Sequence, residues 1–199
     1  IRLDPHDAWP YNNLGDVLRR QRKQSGAIEC FRKAIALDSR RAVFHVNLGR
    51  TFISTKDLDD AVLAFDAALR LEPKYVLALN HLGRARAAQG DLDEAIACYR
   101  KALAIDATTD YVHKNLGNAL KSQGNVDEAI DAYEEAIHHG PDEPIVYFHL
   151  ATLLVGRGRH REIAARRDRG RTRTRCVHRR APRHRHRPGH RAGTRPAAA

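Results

Sequence analysis

Gly15, Gly49, Gly83 and Gly117 stand 34 residues apart, and this spacing constrains the fold more than any other feature of the chain. Ala27, Ala61, Ala95 and Ala129 keep the same step, as do the rings Phe31, Phe65, Tyr99 and Tyr133 and the small residues Ala34, Ala68, Ala102 and Ala136. Pro5, Pro73 and Pro141 are two periods apart, with Ser39 and Ala107 at the intervening positions. Four columns in register without an insertion describe an array of one small unit, and such arrays bury a continuous core by stacking neighbours.

The stretch from Val76 to Thr109 shows what one unit contains. Leu79, Leu82 and Arg86 fall at helical spacing with Gly83 and Ala87 beside them, and Gly90 supplies the left-handed residue that ends the helix. Asp91 with Glu94 then has capping-box spacing for a second helix; Asn125 with Glu128 repeats it, and Asp57 with Asp60 is a weaker version. Ala95, Ile96, Tyr99, Ala102 and Leu103 form one apolar stripe of that helix. The glycine and alanine columns are expected to let two helix backbones approach, with the ring filling the wider space beside them. A large residue at Gly83 or Ala95 would overpack the pair.

These residues resemble the tetratricopeptide repeat family. The pattern is Leu-Gly in the first helix (Leu14-Gly15, Leu48-Gly49, Leu82-Gly83, Leu116-Gly117), then the alanine, ring, alanine and proline columns, over about residues 8–162. The resemblance implies an all-α fold, an α-solenoid of stacked helix-turn-helix units wound into a right-handed superhelix, whose first helices line a concave groove. The expected units are 8–41, 42–75, 76–109, 110–143 and a partial fifth at 144–162, with 1–7 ending an earlier unit and 163–199 an Arg/His/Pro-rich tail. Arg86 departs from the pattern where an apolar or tyrosine residue is usual. Arg22 and Lys56 replace the inter-helix glycine, and Ala151 replaces the glycine of the fifth unit. The chain contains no methionine, and Ile1-Arg2-Leu3-Asp4-Pro5 matches the end of a unit at 68–73, so the reading expects a piece of a longer protein.

Charge is unevenly placed. Residues 157–199 hold 16 arginines and no lysine against Glu162 and Asp168, a net of +14, which leaves the first 156 residues at −3. The overall +11 therefore describes the tail, and does not make the repeat body a basic nucleic-acid binder. Cys30 and Cys98 share a column two units apart, too distant for a disulfide in a rigid stack, and Cys176 lies in the tail. Unpaired cysteines fit a reducing compartment, so a cytoplasmic location is expected, and no apolar run is long enough to span a membrane.

Function would sit on the first helices. Two residues before each glycine come Asn13, Asn47, His81, Asn115 and His149. A carboxamide offers donor and acceptor together, matching a peptide bond, and similar asparagine ladders occur in the repeats of O-linked N-acetylglucosamine transferases. The competing reading is that these residues join helices or face water. One residue after the glycine come Asp16, Arg50, Arg84, Asn118 and Thr152; three before it, Asn12, Val46, Asn80, Lys114 and Phe148; six before it, Trp9, Val43, Leu77, Tyr111 and Ile145. Arg50, Arg84, Lys114 and Lys121 make the middle basic, while Asp59, Asp60, Asp93, Glu94, Asp127 and Asp131 make the second helices acidic. The expected ligand is an extended protein segment or peptide with acidic or phosphorylated residues and apolar anchors. Lys114 and Asn118 also match the first pair of the family's clamp for acidic C-termini, but no intact third unit completes it.

From Gly156 onward there is no Leu, Lys, Phe, Tyr or Trp, and the fifth unit shows Ile163, Arg167 and Gly170 where Ala, ring and Ala belong. That composition cannot bury a core. Two readings stand: an arginine-rich tail binding nucleic acid or acidic surfaces, or a reading frame that slips inside the unit, which the abrupt onset favours. His184, His186 and His190 lie among arginines that oppose a metal cation. His45 and His113 are read as packing residues. No phosphate-cradling loop, nucleophile elbow or catalytic carboxylate pair occurs, so no cofactor and no catalysis are expected of this segment. The main expectation is a peptide-binding scaffold. The alternative is the substrate-recruiting part of an enzyme, either a glycosyltransferase or a bacterial serine/threonine kinase.

Overall fold

The computed structural model describes residues 7–158. The chain divides into two units, 1–156 and 157–199, and the second lies almost wholly outside the described residues, as do the expectations made for Pro5, Cys176 and the tail histidines.

Eight helices alternate with short turns: α1 (Ala8–Arg20), α2 (Gln24–Leu37), α3 (Ala42–Thr55), α4 (Leu58–Leu71), α5 (Val76–Gln89), α6 (Leu92–Ile105), α7 (Asp110–Gln123) and α8 (Val126–His139). A further helical stretch covers 144–158, opening on Pro144, whose missing N–H costs nothing at a first helical position. Successive odd and even helices pack as hairpins, each even helix packs on the next odd one, and α1, α3, α5 and α7 also touch in sequence. The first unit is thus an all-α solenoid of helix pairs.

The periodic columns become one repeated lock. A Cβ placed on Gly15 would lie 2.7 Å from Phe31, and the same distance separates Gly49 from Phe65, Gly83 from Tyr99 and Gly117 from Tyr133. The sequence reading assigned the glycine to backbone approach, with the ring beside it. The structure corrects this: the ring lies directly on the glycine. Phe31, Phe65 and Tyr133 are fully buried, and so are the alanines at 27, 61, 95 and 129. Any side chain at the glycine column must push a ring out of a closed core, at a cost of about 1–3 kcal/mol.

The turn inside each hairpin is made the same way four times. The residues bonding five back are Lys23 to Leu18, Asp57 to Phe52, Asp91 to Arg86 and Asn125 to Leu120, at 2.9–3.0 Å. This closure needs a left-handed residue just before the donor. Gly90 and Gly124 supply it at φ 96° and 90°, whereas Arg22 and Lys56 adopt it at 61° and 70° despite their side chains. The capping boxes do not form. Asp57, Asp91 and Asn125 occupy the N-cap positions of α4, α6 and α8, but none caps with its side chain. Their ψ of 69–73° turns them from the first-turn amides. Asp7, at ψ 122°, does cap α1 by accepting from the Trp9 amide. Asp57 instead accepts from the Thr55 hydroxyl at 2.6 Å, and Asn125 donates to Gln123 at 2.7 Å.

Between hairpins the turns alternate. Those at Pro73 and Pro141 carry proline, whose ring presets the backbone. In the other two, Asp38 accepts from the Arg40 amide and Asp106 from the Thr108 amide, both at 3.0 Å. There the ring of His45 reaches the Ser39 carbonyl at 3.4 Å, and that of His113 the Ala107 carbonyl at 2.8 Å. These two histidines, read from sequence as packing residues, therefore tie down the turns that lack proline.

Candidate functional site

The first helices meet through the columns two and three residues before each glycine, and the meeting points are of two kinds. Asn47 of α3 donates its amide to Asn12 of α1 at 2.9 Å, and Asn115 of α7 donates to Asn80 of α5 at 2.8 Å. Asn12, Asn47 and Asn80 are buried. Asn47 also accepts from Arg50 at 3.4 Å, and Asn13, which is exposed, accepts from Asn12 at 3.4 Å. The ladder positions of Asn47 and Asn115 are therefore engaged in joining helices, and this is the helix-joining alternative that the sequence left open.

Between α3 and α5 the columns hold Val46 and His81. His81 is buried and stacks on Phe65, centroids 5.7 Å apart and planes 15° apart, with Arg84 3.3 Å from its Nδ1. Burial, then the charges of Arg84, Arg50 and Arg19, lower its pKa to about 3, so the ring is neutral and its Nδ1 accepts from Arg84. His149, one double period on, repeats the arrangement: its ring tilts over Tyr133 at 5.7 Å and Lys121 donates to its Nδ1 at 3.2 Å. Burial and Lys121 lower the His149 pKa as well.

The charged residues divide in the same way. Lys114 is bound by Glu143 of the following turn, with 2.6 and 2.8 Å to its two oxygens, so the basic character ascribed to it is neutralised. Asp16 holds both Arg19 and Arg20. Among the described residues neither Arg50 nor Arg84 forms a salt bridge. Burial, then the neighbouring Arg19, pulls the Arg50 guanidinium below its ordinary range; Arg84 and Arg20 add to this and Asp16 opposes it. Arg86, the departure from the repeat pattern, turns elsewhere and pairs with Glu94 at 2.8 Å.

A cavity of about 470 Å³ opens across α5 and α7. Leu77 and Tyr111 form its apolar wall, while Asn80, His81, Arg84, Lys114 and Asn115 supply its polar side. A second cavity of about 240 Å³ adjoins Arg84 and Asn115 and takes in Asn118, Tyr99 and Ser122. Asn118 accepts from the Tyr133 hydroxyl at 2.7 Å. Of the residues singled out from sequence, His81, Arg84, Tyr111, Lys114 and Asn115 meet in the first cavity and Asn118 in the second, whereas Asn13, Asn47, Arg50 and His149 line neither. Arg19 was missed as a neighbour of this region. Its signal was present, because it stands in the column of Lys121, four residues after the glycine.

Among the described residues no cluster of three or more His, Cys, Asp or Glu could hold a metal, and no helix is long and apolar enough to cross a membrane. No curated protein matches the chain in sequence. Among solved structures, the crystal structure of MamA protein superposes with a TM-score of 0.68 at 25% identity, covering 79% of this chain and 86% of that one. YrrB, described as a TPR protein with an unusual peptide-binding site, gives 0.62 at 20% identity, with 77% and 79% covered. A chain of the APC/C hetero-tetramer Cut9-Hcn1 gives 0.69 at 21% identity, covering 75% of this chain and 30% of that one. Family models described as tetratricopeptide repeat match residues 12–75 and 111–143, and one described as TPR repeat matches 83–124. With its helix pairs, its glycine–ring lock and these matches together, the chain belongs to the tetratricopeptide repeat family.

Proposed function

We propose that this interaction scaffold holds an extended peptide along its first helices, centred on the cavity between α5 and α7. The observation that supports this most is the cavity's make-up. The apolar Leu77 and Tyr111 line the cavity together with the polar groups Arg84, Asn80 and Asn115, on the surface where repeat columns vary while the packing columns do not. Such a site accepts an apolar side chain and gives a neighbouring backbone amide or acidic group polar partners. YrrB, of like fold, is described as having a peptide-binding site, which is consistent with this use of the architecture. Acidic or phosphorylated ligands suit it, since Arg84 on the cavity lining forms no salt bridge among the described residues.

Selection of the full chain against an immobilised degenerate peptide library tests the proposal. Selected peptides should carry an apolar residue, and Leu77→Ala with Tyr111→Ala should weaken them by roughly tenfold, the loss that goes with about 1.4 kcal/mol of apolar contact. No enrichment over an unrelated helical protein, or full retention by the double variant, would refute it.

A further inference from the structure

The arginines around His81 have a property that peptide gripping alone does not account for. Four guanidinium groups, Arg19, Arg20, Arg50 and Arg84, lie on three consecutive first helices. One carboxylate, Asp16, serves two of them. Arg50 feels the charge of Arg19, Arg84 and Arg20, and His81 feels Arg84, Arg50 and Arg19, so the groups share one electrostatic neighbourhood. His81 cannot relieve it, since it is neutral and already accepts from Arg84. The Arg50 head donates to the amide oxygen of Asn47 at a long 3.4 Å. Two guanidinium groups, at equivalent positions on adjacent first helices, thus form no salt bridge among the described residues, and the carboxylate that bears on Arg50, Asp16, is already bridged to Arg19 and Arg20.

We propose that Arg50 and Arg84 form a subsite for a phosphate monoester carried by the bound peptide, with Arg19 adding to the field. This rests on the peptide-binding reading and assigns the chemistry of its anionic partner. A phosphate monoester carries about −1.5 to −2 at neutral pH and three acceptor oxygens, which balances two arginines where one carboxylate balances only half. Arginine forks bind phosphate oxygens in pairs, so two forks from neighbouring helices hold one tetrahedral group from two sides. Lys114 takes no part, because Glu143 already occupies it.

The experiment compares immobilised degenerate peptides whose central residue is phosphoserine, glutamate or serine, presented to the full chain. Phosphoserine should bind roughly tenfold better than serine, with glutamate between them. Arg50→Gln, at a residue that lines neither cavity, should lose most of this preference while serine peptides bind as before, and Arg50→Gln with Arg84→Gln should abolish the preference. Arg32→Gln with Arg70→Gln removes equal charge from exposed positions on second helices and should change nothing. The arginines beyond residue 158 are present in every variant and so cancel. Equal binding of the three libraries, or a phosphoserine preference that survives Arg50→Gln with Arg84→Gln, overturns the subsite and leaves the peptide reading standing. Failure of all three libraries to bind overturns both.

Discussion

The joints between first helices teach most when set side by side. The α1–α3 and α5–α7 joints are closed by an asparagine pair, a neutral bond in which donor and acceptor satisfy each other. At the α3–α5 joint the same columns hold Val46 and His81, and the imidazole lies instead on Phe65 of α4 with the Arg84 guanidinium at its Nδ1. The same two columns thus produce a self-contained seam or a charged one, depending on whether two carboxamides face each other. The unpaired guanidinium groups stand beside the second kind, while the α5–α7 cavity lies over an asparagine pair whose amides already satisfy each other in part.

The largest effect should come from breaking an asparagine seam on one side only. Asn47→Leu strands the buried oxygen of Asn12 and should lower unfolding stability by about 1–3 kcal/mol in urea titration. Asn115→Leu, at a less buried pair, should cost less. Small losses at both would mean that the asparagine pairs do not close their seams in this way.

Next comes pH. His81 has its pKa lowered on folding, so the unfolded chain binds a proton more readily between about pH 6.5 and 3. Its contribution to stability is complete above about pH 6.5 and falls as the pH drops toward 3. The urea midpoint should therefore decline on acidification, and His81→Asn should flatten part of that slope. An unchanged slope would place the acid sensitivity elsewhere.

Smaller still, Lys56→Gly relieves a side chain from the left-handed conformation and should raise stability by about 1 kcal/mol, as Arg22→Gly should in the first hairpin. Smallest of all, Glu143→Gln frees Lys114 from a partly exposed ion pair worth about 0.2–1 kcal/mol. It should return positive charge to the cavity and tighten acidic peptides while barely moving the melting temperature.

The helix pairs, their order and the buried columns were legible because identical packing at each step leaves identical residues at each step. The joints were not. Asn47 finds Asn12 35 residues back, one period plus one, so a reading that compares positions a whole period apart passes over the diagonal bond. Lys114 looked basic for a related reason, since its partner Glu143 belongs to the following turn and to no column under comparison. The capping boxes failed because spacing alone does not reveal the backbone angle that aims the side chain. Leu77, Tyr111 and Arg84 were placed correctly on the first-helix surface, but only folding shows that they close round a single cavity.

Because every ring rests on the glycine of its own hairpin, each module carries both halves of its fastener, and a neighbour only covers the ring's other side, as His81 covers Phe65 and His149 covers Tyr133. Whole 34-residue cassettes can then be spliced in or out with the surviving pairs still latched, so long as each new boundary matches asparagine to asparagine or imidazole to aromatic ring. Array length and ligand reach become separately adjustable, with the cassette setting one and the boundary chemistry setting the other.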